Sequence, residues 1–258
     1  MCIDIKNSKG NNMIELNKRN LFNTYKLFTD SGLNILVKEE DINWIVKNNS
    51  SWPNYIFNTN FEKNNISSRI GDMKGKIKSN KAPNYWVVAP NSKTENLEKH
   101  LQKEGFNAVT SWSCMGANYK DIKKDFDKPN DLIIETVSSR EKLEDWSKVI
   151  GDCDVDGLDR LSYNEKVKFY IGYINEKIVG YSMMVLSNEV AGLYMIGVLP
   201  DYRNQGIGKA MTIKPILDAK NMGYTTSVLQ ATETGERIYR QIGFKEYSRY
   251  KIYKYEEN

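Results

Sequence analysis

The sequence has only one histidine and three cysteines among its 258 residues. The histidine, His100, lies in a polar stretch typical of a surface helix, and one histidine excludes multi-histidine metal sites. The same scarcity excludes a histidine-based triad. The cysteines Cys2, Cys114 and Cys153 are odd in number, far apart and without CxxC spacing. Neither a disulfide framework nor a thiolate metal site is therefore indicated, and we expect no bound metal.

Long apolar runs are also missing. No stretch of about 18 or more apolar residues occurs, so no membrane span is predicted. The first ten residues, MCIDIKNSKG, lack the apolar core of a secretory signal, which favours a cytoplasmic location. The net charge is +4, and no basic cluster is interleaved with aromatic residues. Neither a membrane nor nucleic acid is therefore expected as a partner.

What is present is an ordinary globular composition, 40% hydrophobic and 27% charged, in a chain long enough for two domains. A polar stretch, YKDIKKDFDKPNDL, places a boundary near Lys128. The predicted domains are 1–128 and 129–258. Both end in a strand, a helix, a Gly-Phe pair and a last strand, which points to duplication, although this plan is common enough to arise without it.

Periodicity predicts individual elements within each half. In the first half, MIELNKRNLFNTYKLF and EEDINWIVKN read as helices and YWVVA as a strand. In the second half, DLIIETV reads as a strand, followed by a helix capped by Ser138 or Ser139 and a second helix ending in YNEKVKFY. A hairpin turns at NEK. Pro215 falls inside a later predicted helix and should bend it, because it cannot donate to the carbonyl of Met211.

The stretch DYRNQGIGKA, residues 201–210, carries the most specific signal. It is not a P-loop, since the required first glycine is Arg203 and Lys209 is followed by alanine. It is not a dinucleotide fingerprint, because the third glycine is replaced by Met211. What remains is RxxGxG between a strand and a helix. Glycines let backbone amides approach an anion at the helix N-terminus, with Arg203 and Lys209 adding charge, which suits a pyrophosphate.

The run IGVLPDYRNQGIGKA resembles the pyrophosphate loop of the GNAT (GCN5-related) N-acetyltransferases, and VLQATETGERIYRQIGF is similar to the ending of that family's domain. The resemblance covers roughly residues 131–255. It implies an α/β fold with a mixed sheet in the second half and acetyl-CoA as co-substrate, and the matched endings of the two halves predict a degenerate GNAT-like first half. Thr232 and Gly235 depart from the Asn and Ala that the family often has at these positions.

The resemblance implies a set of site residues. Tyr239 would protonate the leaving thiolate, and backbone groups of Ile196 and Val198 would line the pantetheine arm, with Gly197 marking a strand bulge that opens room for the cofactor. The complete set of expected cofactor-binding residues is Ile196, Gly197, Val198, Arg203, Asn204, Gln205, Gly206, Ile207, Gly208, Lys209, Ala210, Thr232 and Gly235.

The general base is not evident from the sequence. The predicted strand over residues 191–199 has no acid, and Glu189, just before it, is the candidate. The loop GDCDVDGLDR begins like a calcium loop at Asp152, Asp154 and Asp156, but Tyr163 stands where the bidentate Glu belongs, which excludes calcium. The family places this loop beside the acceptor cleft, where its acids would suit a cationic amine, although a solvated loop explains them equally well.

The expected reaction is transfer of acetyl from acetyl-CoA to a primary amine, on a small molecule, a peptide N-terminus or a lysine. A non-catalytic acyl-CoA sensor is the alternative, and the sequence does not indicate the oligomeric state. The first half is expected to bind no acetyl-CoA and to wall the acceptor cleft. Its comparable stretch, SSRIGDMKGK, has Arg69 but Asp72 and Lys74 in place of the glycines, and Leu101 takes the place of Tyr239.

Overall fold

The computed structural model describes residues 5–48, 50–123, 125–151, 153–187 and 189–256. Seven α-helices lie within these residues: α1 (Ile5–Asp30), α2 (Ile66–Lys78), α3 (Leu97–Lys103), α4 (Arg140–Ile150), α5 (Val155–Ser162), α6 (Ile207–Asn221) and α7 (Glu233–Ile242). The strands are β1 (Asn34–Lys38), β2 (Asn43–Lys47), β3 (Ile56–Phe57), β4 (Tyr85–Val88), β5 (Phe106–Asn118), β6 (Ile133–Thr136), β7 (Val167–Ile174), β8 (Lys177–Leu186), β9 (Ala191–Val198), β10 (Thr226–Ala231) and β11 (Lys245–Tyr255).

The strands form one mixed sheet that runs through both halves of the chain. Their spatial order is β1-β2-β3-β4-β11-β5-β10-β9-β8-β7-β6. Neighbours are antiparallel except for the pairs β3–β4 and β9–β10, which are parallel. The fold is therefore mixed α/β, as predicted.

The halves exchange strands at the centre of this sheet. β5, from the first half, lies between β10 and β11 of the second half. In return, β11 lies between β4 and β5, both from the first half. The two strands are long, 13 and 11 residues, so each reaches both parts of the sheet. The proposed boundary at residue 128 stays a prediction, and the sheet is continuous across it.

Helices cover both faces of the sheet, because strand residues alternate between two buried sides. The face that carries Cys114 and Met183 packs against α1, α4 and α5. The opposite face, with Met115 and Met184, packs against α6 and α7. In the first half that opposite face is covered by α2 and α3 around Trp86. The 26-residue helix α1 therefore crosses the middle of the molecule and packs on strands of both halves.

Two of the sequence-based element assignments are wrong. EEDINWIVKN forms not a helix but strand β2, in which buried Trp44 and Ile45 face opposite sides and pair with β1 and β3. YNEKVKFY ends no helix, since α5 stops at Ser162 and Val167 already begins β7. Both segments are short, and tertiary pairing decided their state. Ser139 caps α4 as predicted, accepting a hydrogen bond from the amide of Lys142.

Helix α6 continues through Pro215 as a single element, and the predicted bend stays a prediction. Pro215 has no N–H, so it cannot donate to the carbonyl of Met211. The hydroxyl of Ser182, fully buried on β8, donates to that carbonyl instead, at 3.0 Å. The strand therefore supplies the hydrogen bond that the proline removes.

Replacing Ser182 by alanine is expected to lower the free energy of unfolding by about 1–3 kcal/mol, because the buried Met211 carbonyl is left without a donor. Chemical denaturation measures the loss. The matched control is Pro215→Ala, which restores a backbone donor at position 215. In that background, Ser182→Ala should cost clearly less, and an equal cost in both backgrounds would contradict the assignment.

Candidate active site

The site begins where two parallel strands separate. β9 and β10 pair only at Ala191 with Ser227 and at Gly192 with Val228. Beyond these pairs no further hydrogen-bonded register joins them among the described residues. The second half of β9 therefore faces an opening in the sheet, where its edge toward β10 has no strand partner in the described part of the chain.

An irregularity in β9 lies at this opening. Tyr181 pairs with Gly197 and Met183 with Tyr194, so β9 has one residue more than β8 over this interval. The extra residue is at Met195–Ile196, and Met195 has φ of 48°. The prediction that Gly197 marks the bulge is wrong by one or two positions. Gly197 instead admits the Tyr181 ring, since a Cβ on it would lie 2.2 Å from Tyr181 Cζ.

The RxxGxG stretch forms the turn into α6. Gly206 is the N-cap, with φ of 79°, and no side chain caps the helix. A Cβ on Gly206 would lie 1.9 Å from the backbone oxygen of Asp127, so glycine is required here twice over. A Cβ on Gly208 would meet only Val198 at 3.6 Å and Ile238 at 3.7 Å. The first amides of α6 thus have the arrangement that binds anions.

A cleft of about 1210 Å³ joins this turn to the strand opening. It brings together most of the predicted cofactor-binding residues: Ile196, Gly197, Val198, Arg203, Asn204, Gln205, Gly206, Gly208, Lys209, Thr232 and Gly235, together with Tyr239. Ile207 and Ala210 do not line it. Their side chains are buried against the sheet, because the first inward-facing positions of α6 fall at these residues.

Sequence reasoning missed several residues of the cleft. Its lining also includes Tyr181, Tyr202, Thr234, Ile238 and residues 125–129 of the connection between the halves. A signal for Ile238 existed, since it neighbours Tyr239 on a short helix. No local pattern indicates the connection, because it reaches Gly206 only through the folded structure.

The charges in the cleft are mixed. Arg203 and Lys209 lie at the turn, and no ion pair joins either of them to the residues that the structure describes. The connection adds the exposed Asp125, Asp127 and Lys128. Because the helix N-terminus favours negative charge, the positive end of the cleft is at the turn.

Tyr239 lies on α7 at the inner end of the cleft. Its ring packs edge-on against Phe244, with centroids 6.0 Å apart. Burial raises the pKa of its hydroxyl to about 12, so the group keeps its proton at neutral pH. A Cβ on Gly235 would lie 2.9 Å from Tyr239 Cε2, which means that this glycine leaves the space in which the ring sits. The Ala-to-Gly departure noted in the sequence thus has a packing reason.

Gly235→Ala should separate stability from activity. Alanine is favoured over glycine in a helix by up to about 1 kcal/mol, so the free energy of unfolding should hold or rise. The acetyl transfer that the sequence predicts should fall about tenfold, because the Cβ displaces the Tyr239 ring. The control is Gly71→Ala in α2, where a Cβ meets nothing within 4 Å and turnover should not change. Unchanged turnover in both variants would contradict this packing role.

A second cavity, of about 470 Å³, lies on the other side of Tyr239 and is called here the aromatic chamber. It is lined by Leu21, Tyr25, Ser51, Trp52, Tyr55, Trp112, Ile150, Leu193, Tyr194, Met195, Ile196, Leu229, Gln230, Thr232 and Tyr239. Ile196, Thr232 and Tyr239 belong to both cavities. Six of the lining residues, from Leu21 to Trp112, come from the first half of the chain, which therefore walls this cavity.

The structure does not bring Glu189 to the site. It is exposed on the turn between β8 and β9, 3.5 Å from Arg19. Ile196 lies seven positions further along the chain, roughly 20 Å away on an extended strand. The lining of the aromatic chamber includes no carboxylate in its place.

The described acids of the loop GDCDVDGLDR also have structural partners away from the site. Asp154 caps α5 by accepting a hydrogen bond from the Gly157 amide at 2.8 Å, and Asp156 pairs with Arg140. Neither lines the aromatic chamber. Asp152 lies outside the described residues. In the described part of the chain, no group of three or more His, Cys, Asp or Glu residues is placed to hold a metal ion. None of the described helices is long and apolar enough to span a membrane.

The comparable stretch of the first half makes no anion-binding turn. SSRIGDMKGK lies inside helix α2, which runs through both of its glycines. Arg69 is engaged by Asp41 at 2.6 Å and Glu39 at 2.7 Å, and these carboxylates raise its pKa. Leu101 is fully buried in the core. In the first half, Arg69 and Leu101 therefore serve the packing and ion pairing of the fold.

Comparison with known proteins agrees with this geometry. Residues 165–246 match the model of the acetyltransferase (GNAT) domain. Over 74 residues the chain is 32% identical to the [ribosomal protein bS18]-alanine N-acetyltransferase of Haemophilus influenzae. That match covers 28% of this chain and 51% of the relative, so this chain spans about half the length of the curated relative.

Solved structures extend the likeness to most of the chain. A GCN5-related N-acetyltransferase from Kribbella flavida superimposes with a TM-score of 0.69 at 15% identity, over 91% of this chain and 93% of that one. A tandem GNAT protein from the clavulanic acid biosynthesis pathway gives a TM-score of 0.56 at 9% identity, over 82% and 77%. Residues 165–246 are therefore a GNAT acetyltransferase domain, in a chain that has the GNAT fold over most of its length.

Proposed function

We propose that the protein transfers acetyl from acetyl-CoA to a primary amine, on a small molecule. The observation that carries this proposal is the position of Tyr239, whose side chain lines both the cleft at the RxxGxG turn and the aromatic chamber. A donor held in the first cavity and an acceptor held in the second would meet at this residue.

The cleft fits the donor. The uncapped amides of α6 and the charges of Arg203 and Lys209 suit a pyrophosphate. The stretch of β9 around Ile196 and Val198 is not paired with β10, and its open edge suits an amide-containing arm. The Val198 carbonyl at this edge accepts a hydrogen bond from Arg203 Nε at 3.3 Å. The wall formed by Thr232 and Gly235 closes the same cleft. These residues together with Asn204, Gln205, Gly206 and Gly208 form the proposed acetyl-CoA site.

The chemistry needs one proton donor beside the sulfur. A bond forms between the amine nitrogen and the acetyl carbon as the carbon–sulfur bond breaks. The Tyr239 hydroxyl, kept protonated by burial, gives its proton to the departing sulfur. The amine nitrogen loses its own proton to water, and water returns a proton to Tyr239. The products are an amide and free coenzyme A.

The two halves have different proposed roles. Residues 129–258 carry the proposed donor site, whereas residues 1–128 form a degenerate half that supplies strand β5 and one wall of the aromatic chamber. The plan β4–α3–β5 repeats as β10–α7–β11, and the reciprocal placement of β5 and β11 supports an origin by duplication. The ion pairs of Arg69 with Glu39 and Asp41, and the burial of Leu101, support the proposal that the first half has no second donor site.

A non-catalytic acyl-CoA sensor is the second candidate, favoured by the absence of a carboxylate from the lining of the aromatic chamber. One assay decides between the two. The protein is mixed with acetyl-CoA and a panel of amines, and free thiol is followed with time. Thiol release that depends on an amine supports the transferase. Tight acetyl-CoA binding without amine-dependent release would favour the sensor.

A further inference from the structure

The lining of the aromatic chamber is uncharged. Among its fifteen lining residues there is no Asp, Glu, Lys, Arg or His, and six are aromatic. The rings form a wall. The ring centroid of Trp52 lies 5.6 Å from that of Tyr25 and 6.1 Å from that of Tyr194, and the centroids of Trp112 and Tyr55 are 5.4 Å apart. Such a wall binds flat apolar groups. It offers no ion-pair partner to an ammonium group.

Gln230 supplies a neutral acceptor whose orientation is fixed by its neighbours. Asn17, fully buried on α1, donates through Nδ2 to the carbonyls of Met115 and Leu229, at 3.0 and 2.9 Å. Its Oδ1 can therefore only accept, and it accepts from Gln230 Nε2 at 2.6 Å and from Tyr250 at 2.9 Å. The amide nitrogen of Gln230 is thus committed to Asn17, which leaves its carbonyl oxygen available as an acceptor.

A second polar group of the chamber has no protein partner. The hydroxyl of Tyr25, a residue only 1% exposed, makes no hydrogen bond within the part of the chain that the structure describes. Burial raises its pKa, and the neighbouring hydroxyls of Tyr55 and Tyr194, which also line the chamber, raise it further. A buried polar atom without a partner is costly in a protein interior, which indicates a ligand group that would satisfy it.

From these observations we propose that the acceptor is a monoamine with a flat apolar body, bound in the aromatic chamber with its nitrogen directed to the Gln230 carbonyl oxygen and the Tyr25 hydroxyl. The inference rests on the proposed transferase function. Polyamines and amino sugars are excluded as preferred acceptors, because their further charges or hydroxyls would be buried without partners.

The uncharged lining also explains how the reaction proceeds without a carboxylate base. An alkylammonium has an ordinary pKa near that of lysine, about 10.4. Transfer into a cavity without negative charge disfavours the charged form and lowers that pKa. The chamber therefore favours the neutral amine, which is the form that attacks the acetyl carbon, and Gln230 accepts a hydrogen bond from it without holding it as an ammonium.

Acceptor competition tests the substrate class. With wild-type protein and saturating acetyl-CoA, kcat/KM for phenethylamine should exceed that for spermidine, for kanamycin and for a peptide with N-terminal alanine by roughly 100-fold. A preference for any of the last three would overturn the inference and leave the transferase function intact. Amine-independent binding of acetyl-CoA with no transfer to any acceptor would instead reject the proposed function.

A charge placed in the chamber tests the reason for this preference. Trp112 is half-buried and lines the aromatic chamber but not the cleft. Trp112→Glu should weaken the preference for phenethylamine, raising kcat/KM for spermidine relative to phenethylamine by at least tenfold. Trp112→Gln is the matched control without charge and should not favour spermidine. The KM for acetyl-CoA should be unchanged in both. An equal change in the spermidine-to-phenethylamine ratio of kcat/KM in the two variants would contradict the role of charge.

Discussion

Gly208→Asp is expected to weaken acetyl-CoA binding by at least about 100-fold, equivalent to about 2.7 kcal/mol. The substitution places a carboxylate in the first turn of α6, where a pyrophosphate is proposed to lie. The fold should survive, because a Cβ at this position meets nothing closer than 3.6 Å. An acid in the first turn of a helix is in fact stabilising. Calorimetry measures the affinity, and thermal unfolding checks the fold.

The control for this prediction is Gly208→Asn, which has nearly the same size as the aspartate but no charge. It should lose much less affinity, since only the added volume competes with the ligand. A similar loss in both variants would mean that space rather than charge decides binding. Unchanged affinity in Gly208→Asp would remove the proposed pyrophosphate site.

Tyr239→Phe is expected to lower kcat by about 10²-fold, the lower end of the range for loss of a general acid. The KM for acetyl-CoA should change little, because the hydroxyl acts as the thiolate forms. Tyr202→Phe is the control: Tyr202 lines the cleft but not the aromatic chamber, so removing its hydroxyl should leave turnover intact. Equal turnover of wild type and Tyr239→Phe would return Tyr239 to a packing role.

The pH dependence of the wild-type enzyme gives an independent measure of the same group. Because burial raises the pKa of Tyr239 to about 12, the hydroxyl remains protonated throughout the usual assay range. No decrease of kcat that depends on Tyr239 should therefore appear below about pH 11. A fall of kcat between pH 8 and 10 that is absent from Tyr239→Phe would contradict this assignment.

The glycine turn into α6 was predictable because its requirements are local. Gly206 and Gly208 stand at the start of a helix, and the spacing from Arg203 follows from the chain itself. The side chains of Ile207 and Ala210 lie outside the cleft, because a motif marks a stretch of backbone without telling which side chains face inward. Cofactor binding by these two residues stays a prediction. Met195 gave no signal, since nothing in its type indicates a positive φ.

The aromatic chamber could not be predicted from the sequence. Tyr25, Trp52 and Trp112 reach it from a helix, a loop and a strand of the first half, which the folded structure brings against β9. Each of these residues reads locally as an ordinary core aromatic. The orientation of the Gln230 amide likewise depends on Asn17, which is more than two hundred residues away in sequence. Long-range packing, which single-sequence patterns do not encode, builds the proposed acceptor site.

The exchanged strands also fix the order in which the molecule can be completed during synthesis. β4 and β5 emerge from the ribosome early, yet they are not neighbours in the sheet, because β11 lies between them. Until residues 245–255 are made, the hydrogen-bonding edges that these two strands present to β11 have no native partner. Loop closure over such sequence distances is slow. A nascent chain of this protein therefore carries open strand edges until β11 is made, and unpaired edges of this kind are prone to aggregation.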